Sequence, residues 1–353
     1  RLRFWLAIVV DSDTPEPLPN FDYKIVEGNS LLTTFNGKYL NISSQQQHEN
    51  VQAIKIKKEI LQKKQKEFFT LFGKEKYEKE KEIKNLILDI IELQLGYERT
   101  SWVVKQYRTG NLFQDSEPRQ MSFAEIAQKF APEKQSAIDF CAEIRKSLND
   151  ESKSIEEQAR TQIPFFDWHI IFADIFSPAT KQGGGFNIVI SNPPYGAKLN
   201  NKEKSFFKNN YQTAKTIKNV QKGSLDTYTL FIELGYKLLV KSGNLIFIVP
   251  ISVTSSDALT GVHRLLENNC NTIRISSYSV RPQPVFKNAV VNTSIIQFIK
   301  TLTPCEQMFS TKMHRKGRGF NLQNLIENLQ FAEVKDLKLQ GRIPKISEEI
   351  EKK

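Results

Sequence analysis

Two adjacent prolines set the first limit on what this chain can fold into. The run Phe186-Asn187-Ile188-Val189-Ile190-Ser191 is followed at once by Asn192-Pro193-Pro194-Tyr195. Proline has no amide hydrogen and a fixed φ, so an inner strand cannot continue through Pro193 and Pro194. A short apolar run bounded by turn residues predicts a central strand of an α/β sheet. The tetrad then falls at the carboxyl end of that strand, the edge where open α/β sheets bind ligands.

The residue types at that edge suit a planar amino group. Asn192 offers a side-chain carbonyl acceptor, and Pro193 offers a backbone carbonyl whose direction the next ring restricts. Tyr195 offers a flat face for stacking. The exocyclic amine of adenine has a lone pair delocalised into its ring and is a poor nucleophile. Two acceptors, the Asn192 side chain and the Pro193 carbonyl, would draw the nitrogen toward tetrahedral geometry and free its lone pair for an activated methyl group. This is catalysis by positioning and preorganised polar groups, with no cysteine nucleophile and no metal.

On these residues the chain resembles amino-methyltransferases that use S-adenosylmethionine (SAM), especially adenine-N6 DNA methyltransferases of restriction-modification type, the large type II/IIG-like group. The resemblance implies an α/β, Rossmann-like methyltransferase sheet in which Asn192, Pro193, Pro194 and Tyr195 are catalytic. It also implies double-stranded DNA as partner, with the target adenine flipped from the duplex. Asn29, in the loop Glu27-Gly28-Asn29-Ser30-Leu31-Leu32, matches a residue that meets the adenine amino group of SAM. Phe231 matches an aromatic lining the same pocket. Phe286, in Pro284-Val285-Phe286-Lys287-Asn288-Ala289, matches one that stacks on the flipped base opposite Tyr195.

The family's first strand, its glycine-rich SAM loop and the acidic residue for the SAM ribose normally precede a segment like Arg1 to Val10, which reads as the end of a helix. The expectation is a piece of a longer bacterial polypeptide, with an incomplete SAM site and no activity alone. The resemblance allows the parent a nuclease or a part in phage defence, with fused nuclease and target-recognition regions outside this segment. Two rivals stay open: a protein glutamine methyltransferase, whose substrate is also a planar amide, and a non-catalytic DNA-binding or assembly subunit.

Composition narrows the partners. At 353 residues the chain has room for about two domains. Lys+Arg 50 against Asp+Glu 39 gives a net charge of +11, which suits a polyanion. Seven of the lysines, including Lys198, Lys202, Lys204 and Lys208, fall between Gly196 and Ser224 against one glutamate, Glu203. That loop is well placed to contact DNA phosphates; the alternative is a disordered solvent loop, and the two are compatible until DNA binds. No apolar run approaches the length of a membrane span. Cys141, Cys270 and Cys305 share no metal-ligand spacing, as expected of a reduced, cytoplasmic protein without structural zinc.

Four segments are expected: residues 1–44, the first part of the methyltransferase core; 45–160, a helical insertion; 161–302, the core with the tetrad; and 303–353, a linker or the start of a target-recognition region. The insertion alternates Lys and Glu, with i,i+4 pairs Glu75–Lys79 and Glu80–Lys84 and an apolar stripe Ile83, Leu86, Ile87, Ile90, Ile91. Tyr23 to Val26 reads as a short strand, and Gly183-Gly184-Gly185 as a flexible connector, since a nucleotide cradle would follow its strand. His169, in the aromatic stretch Pro164 to His169, reads as a packed or surface histidine. A helix starts near Leu225 with Asp226 as cap and stops at Gly243, followed by a strand Leu245 to Val249 and another from Val290 to Ile296.

Overall fold

The computed structural model describes residues 10, 23–35, 38–39, 49–108, 132–176, 184–286, 290–317 and 321–348. They fall into two units, Arg1–Ser177 and Pro178–Lys353. The expected helix end at Arg1 to Val10 lies outside the described residues, apart from Val10.

The first unit is built on a helical hairpin. Helix α1 (Glu49–Phe68) and helix α2 (Gly73–Arg108) are joined by four residues, which makes them antiparallel neighbours. Ion pairs cross the hairpin in matching register: Lys57–Asp89 at 2.7 Å, Lys64–Glu82 at 2.8 Å and Lys79–Glu67 at 3.0 Å. Within α2, the expected Glu80–Lys84 pair forms at 2.7 Å. Lys79, expected to pair with Glu75, instead bonds Glu67 across the hairpin and Glu82 at 3.3 Å.

The whole predicted stripe of α2 is buried, and so is Leu88, which lies off it. Helices α3 (Pro132–Leu148) and α4 (Ile155–Ala159) also pack on α2, so its central turns are covered on more than one side. A two-residue ribbon, β1 (Thr34–Phe35) with β2 (Lys38–Tyr39), and helix α5 (Trp168–Ile171) complete this unit. Tyr23 to Val26 forms a turn rather than the expected strand, and Tyr23 has φ 58°, which no strand residue adopts.

The second unit is a six-stranded sheet in the order β3-β4-β6-β5-β7-β8. Its strands are β3 (Phe186–Ser191), β4 (Leu239–Pro250), β5 (Cys270–Tyr278), β6 (Thr293–Lys300), β7 (Gln307–His314) and β8 (Ala332–Glu333). Pairing is parallel for β3/β4 and β5/β7, and antiparallel where β6 lies between β4 and β5. It follows that β3, β4, β5 and β7 share one direction, so their carboxyl ends lie along one edge. Helices α6 (Asn201–Asn210), α7 (Thr227–Leu238) and α8 (Thr260–Asn269) connect the strands, and α9 (Leu322–Glu327) precedes β8. One face of the sheet packs Leu245, Phe247, Val249, Ile275, Ile296 and Phe298 against Tyr228, Ile232, Val262 and Leu266 of α7 and α8. Among the described residues no helix is long and apolar enough to cross a membrane.

Several expectations need correction here. Among the described residues the strand β3, expected to be central, stands at the end of the sheet order, and its Ile188 and Ile190 are 59% and 72% exposed. Helix α7 ends at Leu238, not Gly243, because β4 starts at once and bulges over 240–243, where Ser242 has φ 67°. The side chain of Asp226 makes no cap bond; its backbone carbonyl accepts from Thr229 instead. Strand β6 starts three residues later than expected.

The α/β rhythm also continues beyond Thr303, through β7 pairing with β5. Gly185 is no loose connector: with φ 152°, its added Cβ would stand 2.8 Å from the Leu238 carbonyl oxygen. Gly183 lies outside the described residues.

Candidate active site

At Ser191 the sheet ladder ends and the prolines turn the chain away, leaving Asn192 exposed and Pro193 buried. Four contacts then fix the tetrad. The Tyr195 hydroxyl donates to Asn192 Oδ1 at 2.8 Å and lies 3.1 Å from the Ile248 carbonyl of β4. The Thr227 hydroxyl, at the start of α7, donates to the Pro194 carbonyl at 2.6 Å. The Tyr195 ring stands edge-on to Tyr228, with centroids 6.4 Å apart.

Burial raises the Tyr195 hydroxyl above its ordinary pKa. It pushes Tyr228, which is bonded to Ser252 at 2.8 Å, up to about 12. Both phenols therefore stay protonated at neutral pH. Nothing in the sequence pattern announced the Thr227 clamp or the Ile248 carbonyl, because both depend on neighbours far away in the chain.

Phe286 belongs to the same edge by topology. Its loop leads into Thr293, which pairs with Pro250 at the carboxyl end of β4 and with Tyr278 at that of β5. The loop is tied down where Ile251 N–H donates to the Asn292 carbonyl and Val280 N–H to Asn292 Oδ1. Phe286 is half-buried. Its neighbour Val285 lines a largely apolar cavity of about 350 Å³ with Ile248, Tyr278, Ile295 and His314. Ile248 thus touches both the tetrad, through its carbonyl, and this cavity.

Phe231 lies one helical turn from Thr227, on the same side of α7. It packs, partly buried, against the sheet core. The lysines are exposed but not aligned. Lys204 and Lys208 share one face of α6, whereas Lys202 lies about 200° around the helix from Lys204. Lys198 lies before the helix. Against the alternative of a disordered solvent loop, the segment has a capping box, in which Asn200 and Glu203 bond each other's backbone, and buries Phe207 and Tyr211.

Asn29 lies in the first unit. Its Oδ1 accepts from Leu31 N–H at 3.0 Å and Leu32 N–H at 3.2 Å, which shapes the loop. That loop borders a cavity of about 440 Å³ lined by Glu27, Gly28, Asn29, Gln162, Phe165 and Phe166. Gly28 is required there, since an added Cβ would meet Phe166 Cβ at 2.3 Å. His169 is a packed surface histidine, its ring 4.5 Å from that of Phe176. Among the described residues no group of three His, Cys, Asp or Glu could hold a metal ion.

A protein of Methanocaldococcus jannaschii, named as a type II restriction enzyme and methyltransferase, is 24% identical over 317 residues, covering 84% of this chain. The chain spans about a quarter (24%) of that protein's length. Among solved structures, the type ISP restriction-modification enzyme LlaBIII bound to DNA is 14% identical with a TM-score of 0.34, covering 72% of this chain and 20% of that one. A nuclease-deletion mutant of the type ISP enzyme LlaGI with a DNA substrate mimic is also 14% identical, with a TM-score of 0.36, covering 69% and 26%. The Eco57I restriction-modification methylase model matches residues 1–286, and the chain belongs to that family.

Proposed function

We propose that the chain carries the catalytic part of a DNA methyltransferase that moves a methyl group from SAM to the N6 amino group of an adenine flipped out of the duplex. The observation that carries this reading is the tetrad itself, held at the carboxyl edge of β3 by Tyr195 and Thr227. A carboxamide oxygen has two lone pairs, so Asn192 Oδ1 keeps one for a substrate amine while accepting from Tyr195. Thr227 occupies the Pro194 carbonyl, which leaves the Pro193 carbonyl as the second acceptor. Two acceptors on one amino nitrogen hold it in line and restore its lone pair. Tyr195 and Phe286 would sandwich the base.

The residues around Asn29 fit the adenosine end of SAM. Glu27 supplies a carboxylate acceptor, Asn29 an amide N–H and Phe166 an aromatic wall, in a cavity within the usual ligand-pocket range. When bound, SAM supplies the electrophilic methyl group. Lys198, Lys202, Lys204 and Lys208 add positive charge for DNA phosphates.

The test is methyl transfer from labelled SAM by the natural full-length protein, offered double-stranded DNA and a glutamine peptide in parallel. Label on DNA adenine, lost in Asn192→Ala, is the expected result. Label on the peptide alone, or undiminished DNA labelling in Asn192→Ala, would overturn the reading.

A further inference from the structure

We propose that the hairpin Ile217–Gln221 is an apolar wedge that presses into the DNA base stack beside the extruded adenine; this rests on the methyl-transfer reading above. Residues 196–226 form an excursion that leaves the tetrad and returns to it. At its root Thr227 Oγ1 bonds the Pro194 carbonyl and accepts from Ala197 N–H at 3.5 Å. The excursion is braced from inside. Glu233, a carboxylate 1% exposed, accepts from Gln212 N–H at 3.0 Å and from Thr213 N–H and its hydroxyl, both at 2.8 Å.

The hairpin is closed by two bonds between the Ile217 and Gln221 backbones, both 3.0 Å, and Asn219 turns it with φ 60°. The Gln221 side chain donates to the carbonyls of Gln212 and Lys215. Its stem docks on α8, where Lys222 N–H donates to Thr260 Oγ1 at 2.8 Å and Gly261 N–H to the Lys222 carbonyl at 3.2 Å. Since α8 begins shortly after the carboxyl end of β4, the hairpin stands on the tetrad's side of the sheet.

On this rigid stem two β-branched side chains remain in water, Ile217 48% and Val220 38% exposed. Single exposed apolar residues are ordinary. These two sit among Lys215, Lys218 and Lys222, all exposed, in a stretch with no acidic residue from Lys204 to Leu225. Asp257, across an open polar cavity of about 660 Å³ from the hairpin's lysines, is the acidic group lining that cavity. An apolar centre ringed by cations complements a duplex, which carries phosphates outside and an apolar stack within. Apolar side chains wedged between base steps are an established way to distort a duplex, and extruding a base requires such a gap.

The experiment uses the natural full-length protein with its methylated DNA sequence, and two double variants, Ile217→Ser with Val220→Ser and Lys218→Ser with Lys222→Ser. 2-Aminopurine at the target position brightens when unstacked and reports extrusion. The apolar variant is expected to lose that brightening and about 10- to 100-fold of methyl transfer on paired DNA, in line with an unstacking cost of a few kcal/mol. A mismatch opposite the target adenine should restore its rate to within about threefold, because a mismatched base costs less to extrude. The lysine variant should weaken binding to both DNAs alike and lower the salt slope by about 2.

Wild-type brightening in the apolar variant, or an equal loss on paired and mismatched DNA, would overturn the wedge. Asn192→Ala should keep the brightening and lose transfer on both DNAs. A variant that kept transfer would sink the methyl-transfer reading without touching the brightening assay.

Discussion

The Tyr195 hydroxyl has one hydrogen and two acceptors within reach, Asn192 Oδ1 at 2.8 Å and the Ile248 carbonyl at 3.1 Å. On the methyl-transfer reading, a substrate amine takes the second lone pair of Asn192 Oδ1 while the hydroxyl stays shared between that oxygen and Ile248. Tyr195→Phe keeps the ring and removes one hydrogen bond, so kcat for DNA methyl transfer should fall about 2- to 10-fold. Asn192→Ala removes the acceptor itself and should cost about 100- to 1000-fold. Steady-state kinetics on both variants check the ratio; equal losses would mean that the hydroxyl is needed as much as the carboxamide.

Phe286→Ala should remove one face of the base sandwich. Stacking of one base on one ring is worth about 1–3 kcal/mol, so kcat/KM should fall by roughly 5- to 150-fold. Phe286→Tyr should retain most activity. Unchanged kinetics in the alanine variant would leave Phe286 as a packing residue of its loop.

The helical unit should stand or fall on its hairpin core. Phe68 is fully buried at the end of α1, edge-on to Tyr23 at 5.3 Å and to Phe69 at 5.9 Å. Phe68→Ala is expected to destabilise this unit by about 3–5 kcal/mol, read as a lower urea midpoint of its helical circular-dichroism signal. Lys79→Met, by contrast, breaks half-exposed ion pairs with Glu67 and Glu82 and should cost about 1 kcal/mol or less.

His263 should make the second unit acid-sensitive. Its Nε2 lies 2.6 Å from the Val253 carbonyl, which can only accept, so Nε2 carries the hydrogen. Nδ1 is buried without a partner. Burial is the main cause that holds its pKa below the ordinary 6.5, and Lys338 adds to it, against the opposing pull of the Val253 bond and Glu267. Between the lowered folded value and the ordinary unfolded one, the unfolded chain binds more protons. Stability from this group is therefore complete above about pH 6.5 and is lost as pH falls below it. The urea midpoint should drop between pH 8 and pH 5, and His263→Gln should flatten that drop.

How much of this was legible beforehand follows the range of each interaction. The tetrad after an apolar run, and the stripe on α2, are local patterns, and both stand where the sequence put them. The strand β7 was missed because it buries Ser310 and Thr311 beside Met308, so its inward positions carry little hydrophobic signal. The Thr227 clamp was missed because it joins residues 33 positions apart, and no local rule links a helix start to a distant proline carbonyl. The Asx-type role of Asn29 was open from the start, since the same side chain can shape a loop or face a ligand.

Among the described residues β3 is an edge strand, and this has a mechanical consequence. Among the described residues β3 is hydrogen-bonded to β4 alone, so the ladder steadies the tetrad from one side only. Edge strands open more readily than strands paired on both sides. Two tethers, Tyr195 to Ile248 and Thr227 to Pro194, reach back to β4 and α7 and add to the ladder's hold on Asn192. A strand paired with the outer side of β3 would stiffen the tetrad without touching any of its residues.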